Sequence, residues 1–276
     1  MDPRKLFFKS VPIIDAHVHT FFRQAEIQGI AKDNGVDFSI DGLRKDCAAN
    51  NVLHVCAIYN DFDGVTPIDD GELAKQQEEF PAILGVGVLH PFRMDKNSLK
   101  RTEKAISDGV FRALKVYGGY YPTDCTDKRF APYYKLAAKY NIPVYVHTGD
   151  TIKQNAQLRF CRPMAVDTAA VAFPDTKFII TQMGNPWLPD AAEVAFKNDN
   201  VWVDTAGVFS GMRYNKMYTS RIQYFIDFVD NPSKFMFGSD WPVARMRDYI
   251  AFIRTMFPKE MHQKLFHDNA KKLFRL

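Results

Sequence analysis

The chain alternates two kinds of segment. Short runs that are apolar almost throughout, rich in β-branched and aromatic residues, stand at Val11–His19, Val52–Tyr59, Ala82–His90, Phe111–Tyr117, Pro143–His147, Lys177–Met183, Val201–Thr205 and Phe235–Ser239. Runs without polar alternation suit strands covered on both faces, as in a parallel sheet. Longer amphipathic segments lie between them. Ser39 is placed to cap a helix running through Arg44 and Cys47. Asp69–Phe80 predicts a helix closed by Pro81, and Ser98–Ser107 one that stops at Gly109. Ala131–Tyr140 predicts a third, with Asn141 at its C-terminal end. Asn185–Pro186 offers a capping residue and a proline for the first helical position. Met217–Val229, Met246–Met256 and Glu260–Phe274 complete the series.

About eight strand–helix units predict an α/β protein, a single-domain (β/α)8 TIM barrel over residues 1–276. An open sheet with an appended helical end is the alternative architecture. No Gly-x-Gly-x-x-Gly follows the first strand, no phosphate-binding Gly-rich loop with lysine appears, and Gly85–Val86–Gly87 lies inside a strand run. Nucleotide-binding folds therefore lose support.

Composition narrows the class. Apolar residues at 46% and charged residues at 25% exclude a disordered or collagen-like chain. The net charge is only +4, and basic residues are mixed with acids, as in Asp41–Gly42–Leu43–Arg44–Lys45–Asp46. No concentrated basic stripe points to nucleic acid. Cys47, Cys56, Cys125 and Cys161 form no Cys-x-x-Cys pair, so the reading is reduced thiols in a cytoplasmic protein. The apolar run at Leu6, Phe7 and Phe8 stops at Lys9, too short for a secretory signal. No apolar stretch nears the length of a membrane span.

The strand ends carry the candidate chemistry. In Ile13–Ile14–Asp15–Ala16–His17–Val18–His19, strand alternation puts Asp15, His17 and His19 on one face and Ile14, Ala16 and Val18 on the other. Barrel enzymes keep their chemistry at the C-terminal mouth, where the polar set would point. Paired neutral imidazoles are good metal ligands. His147 ends the fifth run and Asp240 nearly ends the eighth. His17, His19, His147 and Asp240 make a ligand set that leaves room for water or substrate. The bland alternative is a pair of core histidines satisfied by backbone groups. Lys115, Gln182 and Asp204 also end apolar runs. Lys115 is a candidate anion-binding group or a snorkelling rim residue, and Asp204 a site residue or a loop cap. His90 reads as a pocket wall. His54, His262 and His267 read as structural or solvent-facing.

These segments together resemble the amidohydrolase superfamily, in the branch of metal-dependent TIM-barrel hydrolases and decarboxylases that contains aminocarboxymuconate-semialdehyde decarboxylase. The resemblance is carried by Ile14–Asp15–Ala16–His17–Val18–His19, Leu114–Lys115–Val116–Tyr117, Val146–His147–Thr148–Gly149–Asp150, Met183–Gly184–Asn185–Pro186–Trp187, Val203–Asp204–Thr205 and Phe237–Gly238–Ser239–Asp240–Trp241–Pro242. It implies a divalent metal, most often Zn2+ with Mn2+ or Fe2+ as alternatives, held by His17, His19, His147 and Asp240. It also implies that Asp240 manages the proton of the metal-bound water. The family usually has a histidine where this chain has Gln182. That departure argues against a binuclear centre and leaves Gln182 a hydrogen-bonding, oxyanion-type role. A looser departure puts Arg162 where relatives often carry histidine before proline.

Three functions are weighed on this basis. The first is a mononuclear metal-dependent hydrolase of a small carboxylated, aromatic or lactone substrate. Asp240 and Gln182 act catalytically there. Lys115, Tyr117, Arg162, Trp187, Asp204, Trp241 and Arg245 are substrate-side candidates, with Tyr120 as a further wall residue. The second is a non-oxidative decarboxylase on the same metal site, which the Gln182 substitution weakens at least as much. The third is a barrel that binds a metabolite without turnover. A metal-free hydrolase and a homodimer, by analogy with the architecture, also stay open.

Overall fold

The computed structural model describes residues 11–59, 70–208 and 215–276. The Leu6–Phe8 run and Asp69, the expected start of a helix, lie outside the described residues. Eight parallel strands follow one another in chain order: β1 (Ile13–His19), β2 (Val52–Ile58), β3 (Ile83–Leu89), β4 (Phe111–Val116), β5 (Val144–Val146), β6 (Phe178–Ile180), β7 (Val201–Asp204) and β8 (Phe235–Met236). The last strand returns to the first. Ala16 N–H donates to Phe237 C=O at 2.8 Å, Asp240 N–H to His17 C=O at 2.9 Å, and His19 N–H to Trp241 C=O at 2.8 Å. These bonds close the ring, so the open-sheet alternative is overturned.

The helices are α1 (Ala25–Asp33), α2 (Ile40–Ala49), α3 (Asp70–Glu79), α4 (Lys96–Ser107), α5 (Ala131–Tyr140), α6 (Met164–Ala172), α7 (Leu188–Lys197), α8 (Asn215–Val229), α9 (Met246–Met256) and α10 (Asn269–Phe274). Ser39 caps α2 by accepting from Gly42 N–H at 3.0 Å. Asn141 closes α5 in the left-handed conformation, as its position suggests. The start of α4 precedes the expected Ser98, because Asp95 and Ser98 form a reciprocal capping box. Asn185–Pro186 does not start α7. Trp187 is the N-cap, and Pro189 supplies the early helical proline. The expected single helix over Glu260–Phe274 is broken into a 3-10 turn, a π-helical turn at Lys264–Asp268 and α10. Two helices escaped the sequence reading. The N-cap of α1, Gln24, makes no capping bond, and the apolar residues of α6 do not cluster on one face.

The core has two layers. Strand residues such as Val55, Ala57, Val116, Val146 and Ile180 pack outward against the helices. Ile14, Ala16, Cys56, Ala113, Tyr145, Ile179 and Met236 pack inside the ring. Among the described residues no helix is long and apolar enough to cross a membrane.

The first strand departs from simple alternation. Asp15 pairs with Val55 and Val18 with Ala57, so three steps along β1 match two along β2. This is a β-bulge. Ile14 and Ala16 belong to the interior layer, and Val18 to the outer layer with Trp241. The expected shared face of Asp15, His17 and His19 is therefore corrected. Asp15 is in register with an outer-layer residue, while the extra residue lets His17 and His19 meet the same partner.

Candidate metal centre

Three buried side chains converge where β1 meets the end of β8. His19 Nε2 lies 2.8 Å from Asp240 Oδ1, and His17 Nε2 lies 3.6 Å from the same oxygen. One ligand atom from each residue fits within 4.8 Å of the others. Atoms bound to one ion at about 2.1 Å stand roughly 3 to 3.5 Å apart, so the spacing and the donor types suit a divalent cation.

The electrostatics favour ligand-ready protonation states. Burial lowers the His19 pKa, overriding the raising effect of Asp240, so the imidazole stays neutral. Burial alone would raise the Asp240 carboxyl. The hydrogen bond with His19 and the charges of His17, His19 and Lys115 hold it well below the usual carboxylate range instead.

Asp240 occupies the left-handed region at φ 61°. Its amide and the Trp241 carbonyl both bond to β1. The chain leaving β8 thus turns its carboxylate back onto the two histidines. Gly238 makes room for this approach. A Cβ there would stand 2.8 Å from the His17 Cβ.

Asp204 takes a different place from the one expected. It is fully buried at the end of β7, and its Oδ2 accepts from His17 Nδ1 at 2.8 Å. Its Oδ1 accepts from Gln182 N–H at 2.8 Å and Ala206 N–H at 3.1 Å. The carboxylate is saturated by the protein, which corrects its reading as a substrate contact. It fixes the His17 proton on Nδ1 and leaves the lone pair on Nε2, the atom facing Asp240.

His147 stands apart from the three-residue cluster. It is buried beside Tyr117 and Tyr120, with ring centroids 5.8 and 5.0 Å away. Its Nε2–H donates to the Asp150 carbonyl at 3.1 Å. Burial, reinforced by Lys115, holds its pKa well below the usual value.

Lys115 does not snorkel to the rim: it is 0% exposed. Its Nζ lies 4.9 Å from the Tyr117 ring centroid and 5.8 Å from that of Tyr145. Its hydrogen bond to Thr181 Oγ1 is long at 3.5 Å. Burial pushes the ammonium down to about 7, against the raising pull of Asp204 and Asp240.

Gln182 follows β6 in the left-handed region at φ 60°. Its side chain lies over Gly207, and its Oε1 is buried without a partner among the described residues.

Three substrate-side candidates fall elsewhere. Trp241 is 0% exposed, packs on Phe38 in the outer layer and donates Nε1–H to Asp46 at 2.9 Å. It is a wedge behind the barrel and no pocket wall, because the β1–β8 bridge turns it outward. The Arg245 side chain is 60% exposed and pairs with Asp248 at the start of α9. It lines a groove on the α2 side with Lys45 and Asp46, away from the histidines. Arg162 pairs with Asp190 at 2.8 Å, and its guanidinium lies 5.2 Å from the Trp187 ring centroid. Those two candidates stay together, Arg162 half exposed and already paired, Trp187 partly buried. His90 lines a cleft of about 380 Å³ with Phe92 and Tyr133, outside the metal-ligand cluster. His262 bonds to the Phe257 carbonyl and His267 pairs with Asp268.

One residue of consequence escaped the sequence reading. Tyr145 is fully buried inside the ring and donates its hydroxyl to the Ala16 carbonyl at 2.7 Å. The signal was a single hydroxyl-bearing residue two positions before His147.

No curated protein matches the chain. Solved structures match over almost its whole length. An uncharacterized TIM-barrel protein from Bordetella bronchiseptica is 17% identical, with a TM-score of 0.77 over 96% of this chain and 98% of that one. A 5-carboxyvanillate decarboxylase from Novosphingobium aromaticivorans, complexed with manganese and 4-hydroxy-3-methoxy-5-nitrobenzoic acid, is 13% identical, with a TM-score of 0.71 over 98% and 97%. A probable 2-pyrone-4,6-dicarboxylic acid hydrolase from Acinetobacter baumannii, with citric acid bound, is 12% identical, with a TM-score of 0.69 over 96% and 99%. At these identities the likeness speaks for the barrel. The sequence speaks for the family: the Amidohydrolase model matches residues 14–276, a span that holds every ligand candidate from His17 to Asp240, and the chain belongs to the amidohydrolase family.

Proposed function

We propose that the protein is a metal-dependent enzyme acting on a small, flat carboxylate, and that its reaction is non-oxidative decarboxylation. The observation that carries the substrate class is Lys115. A fully buried ammonium with one long hydrogen bond among the described residues is costly unless an anion completes its surroundings. Tyr117 stands beside it, with Tyr120 edge-on to Tyr117, and the two rings suit a planar substrate. His17, His19 and Asp240 would hold the divalent metal, Mn2+ or Zn2+ by donor type, and His147 would join them only by releasing the Asp150 carbonyl. The metal, when bound, supplies a Lewis acid for the substrate's oxygens.

In this reading Lys115 pairs with the carboxylate and the tyrosines orient the ring. Asp240, ionised in the free protein, is the group placed to pass on from water the single proton that replaces the departing CO2, the hydroxide left over combining with the CO2 as bicarbonate. Gln182 cannot titrate and lends no second acid–base group to either reaction. Against the expectation that the Gln182 departure weighs at least as heavily on decarboxylation, that reaction needs one proton transfer to carbon, a smaller demand than opening a ring and protonating a leaving group. The manganese-bound carboxyvanillate decarboxylase of the same fold supports this choice. Hydrolysis of a cyclic ester is the second reading, supported by the pyrone dicarboxylic acid hydrolase.

The test is to incubate Mn2+-loaded protein with hydroxybenzoates, 5-carboxyvanillate and 2-pyrone-4,6-dicarboxylate. Released CO2 supports the first reading and a ring-opened acid the second. Lys115→Met should raise KM at least tenfold for an active carboxylate. Turnover of none of them, or an unchanged KM in the variant, refutes the substrate class.

A further inference from the structure

We infer that Tyr145 is a positioning residue for the two histidines, acting through the bulge in β1; this rests on the metal reading above. The argument starts from backbone accounting. In a parallel ladder the N–H and C=O of one residue face the same neighbouring strand. Ala16 N–H reaches Phe237 C=O at 2.8 Å, so the regular donor for the Ala16 carbonyl would be Ser239 N–H, two residues further on. That donor is diverted. Ser239 N–H bonds to Asp15 Oδ1 at 2.9 Å, and the same oxygen accepts from His17 N–H at 3.1 Å.

The Ala16 carbonyl is left inside a closed ring, where an unpaired acceptor is unfavourable. Tyr145 supplies the missing donor from β5, across the barrel, at 2.7 Å. Its ring also meets the His17 imidazole edge-on, with centroids 6.2 Å apart. Hydroxyl and ring therefore act on adjacent residues. One satisfies the carbonyl that the bulge sets free, and the other limits the rotation of the first ligand. Without the hydroxyl, the Ala16 carbonyl competes for Ser239 N–H, and recovering that bond means straightening β1. A straight β1 turns His17 away from Asp240.

The test uses Tyr145→Phe, which removes only the oxygen. Metal-free wild-type and variant proteins are titrated with Mn2+, and the absorption spectrum of each is recorded with Co2+. We expect one Mn2+ per wild-type chain, about tenfold weaker binding in the variant, and a changed Co2+ ligand-field spectrum. Val86→Ala is the control. It opens a small cavity in the same interior layer, so it should lower the melting temperature but leave affinity and spectrum unchanged. Should Tyr145→Phe not fold, Asp15→Ala probes the bulge from the other side by releasing Ser239 N–H, and weaker binding is again expected. Wild-type protein that binds no Mn2+ removes the metal reading and this inference with it. Wild-type binding with equal affinity and spectrum in the variant overturns this inference alone.

Discussion

Replacing Asp204 with asparagine tests the candidate centre through one proton. The exchange is nearly isosteric. The amide oxygen can keep the bonds from Gln182 and Ala206 N–H. The amide nitrogen then faces His17 Nδ1 at the 2.8 Å now spanned by the carboxylate. An NH2 group can only donate there, so the imidazole must accept at Nδ1 and carry its proton on Nε2. The atom facing Asp240 loses its lone pair. Loss of such an orienting partner weakens metal binding by about 10 to 100-fold, or about 1.4 to 2.7 kcal/mol. The fold should suffer less. One charge-assisted bond becomes a neutral one, a change of about 1 kcal/mol. Calorimetric titration of Mn2+ into metal-free protein reads the affinity, and 15N shifts of the His17 ring read the tautomer. Undiminished affinity in a variant whose His17 proton has moved to Nε2 refutes the ligand assignment. A proton that stays on Nδ1 refutes the role given to Asp204.

Other substitutions separate the parts of the site. Lys115 loses its proton near pH 7 in the folded chain but near 10.5 when unfolded. Between those values the unfolded chain binds the extra proton, so stability rises with pH across the window and its full penalty is felt below about 7. Lys115→Met should flatten that slope in urea titrations and stabilise the metal-free protein at pH 6 by a few kcal/mol; an unchanged slope contradicts the burial argument. Gly238→Ala brings a methyl to 2.8 Å from the His17 Cβ. A loss of about 1 to 3 kcal/mol is expected, together with lower metal content by elemental analysis. Arg245→Ala should leave KM unchanged and stability within about 0.5 kcal/mol, because that side chain faces solvent. Chelation of the metal-loaded protein should lower its melting temperature, and a midpoint indifferent to Mn2+ concentration speaks against specific binding.

The barrel was legible because β-strands buried on both faces leave uninterrupted apolar runs, and the polar residue ending each run marks the mouth. His17, His19 and Asp240 were legible in the same way. Three kinds of feature were not. The bulge in β1 is set by Asp15 diverting a backbone donor, a competition between hydrogen bonds that alternation of residue types does not record. The partners of Trp241 and Arg245 lie outside the barrel because the chain turns sharply at Asp240, and that turn exists only once β8 has returned to β1. Asp204 showed itself as a carboxylate at a strand end. Whether it faced substrate or an imidazole depended on the neighbouring strand.

The centre lies on the seam of the ring. His19 and Asp240 are 221 positions apart in the chain, yet they meet across the one junction that joins the first strand to the last. A partly folded chain with the remaining strands in place would still hold the two halves of the ligand set separately. A cation bound there acts as a clasp on barrel closure. If the seam is the first junction to part when the protein unfolds, metal will slow unfolding more than it speeds refolding. Its effect would then be seen in the lifetime of the native state as much as in its equilibrium stability.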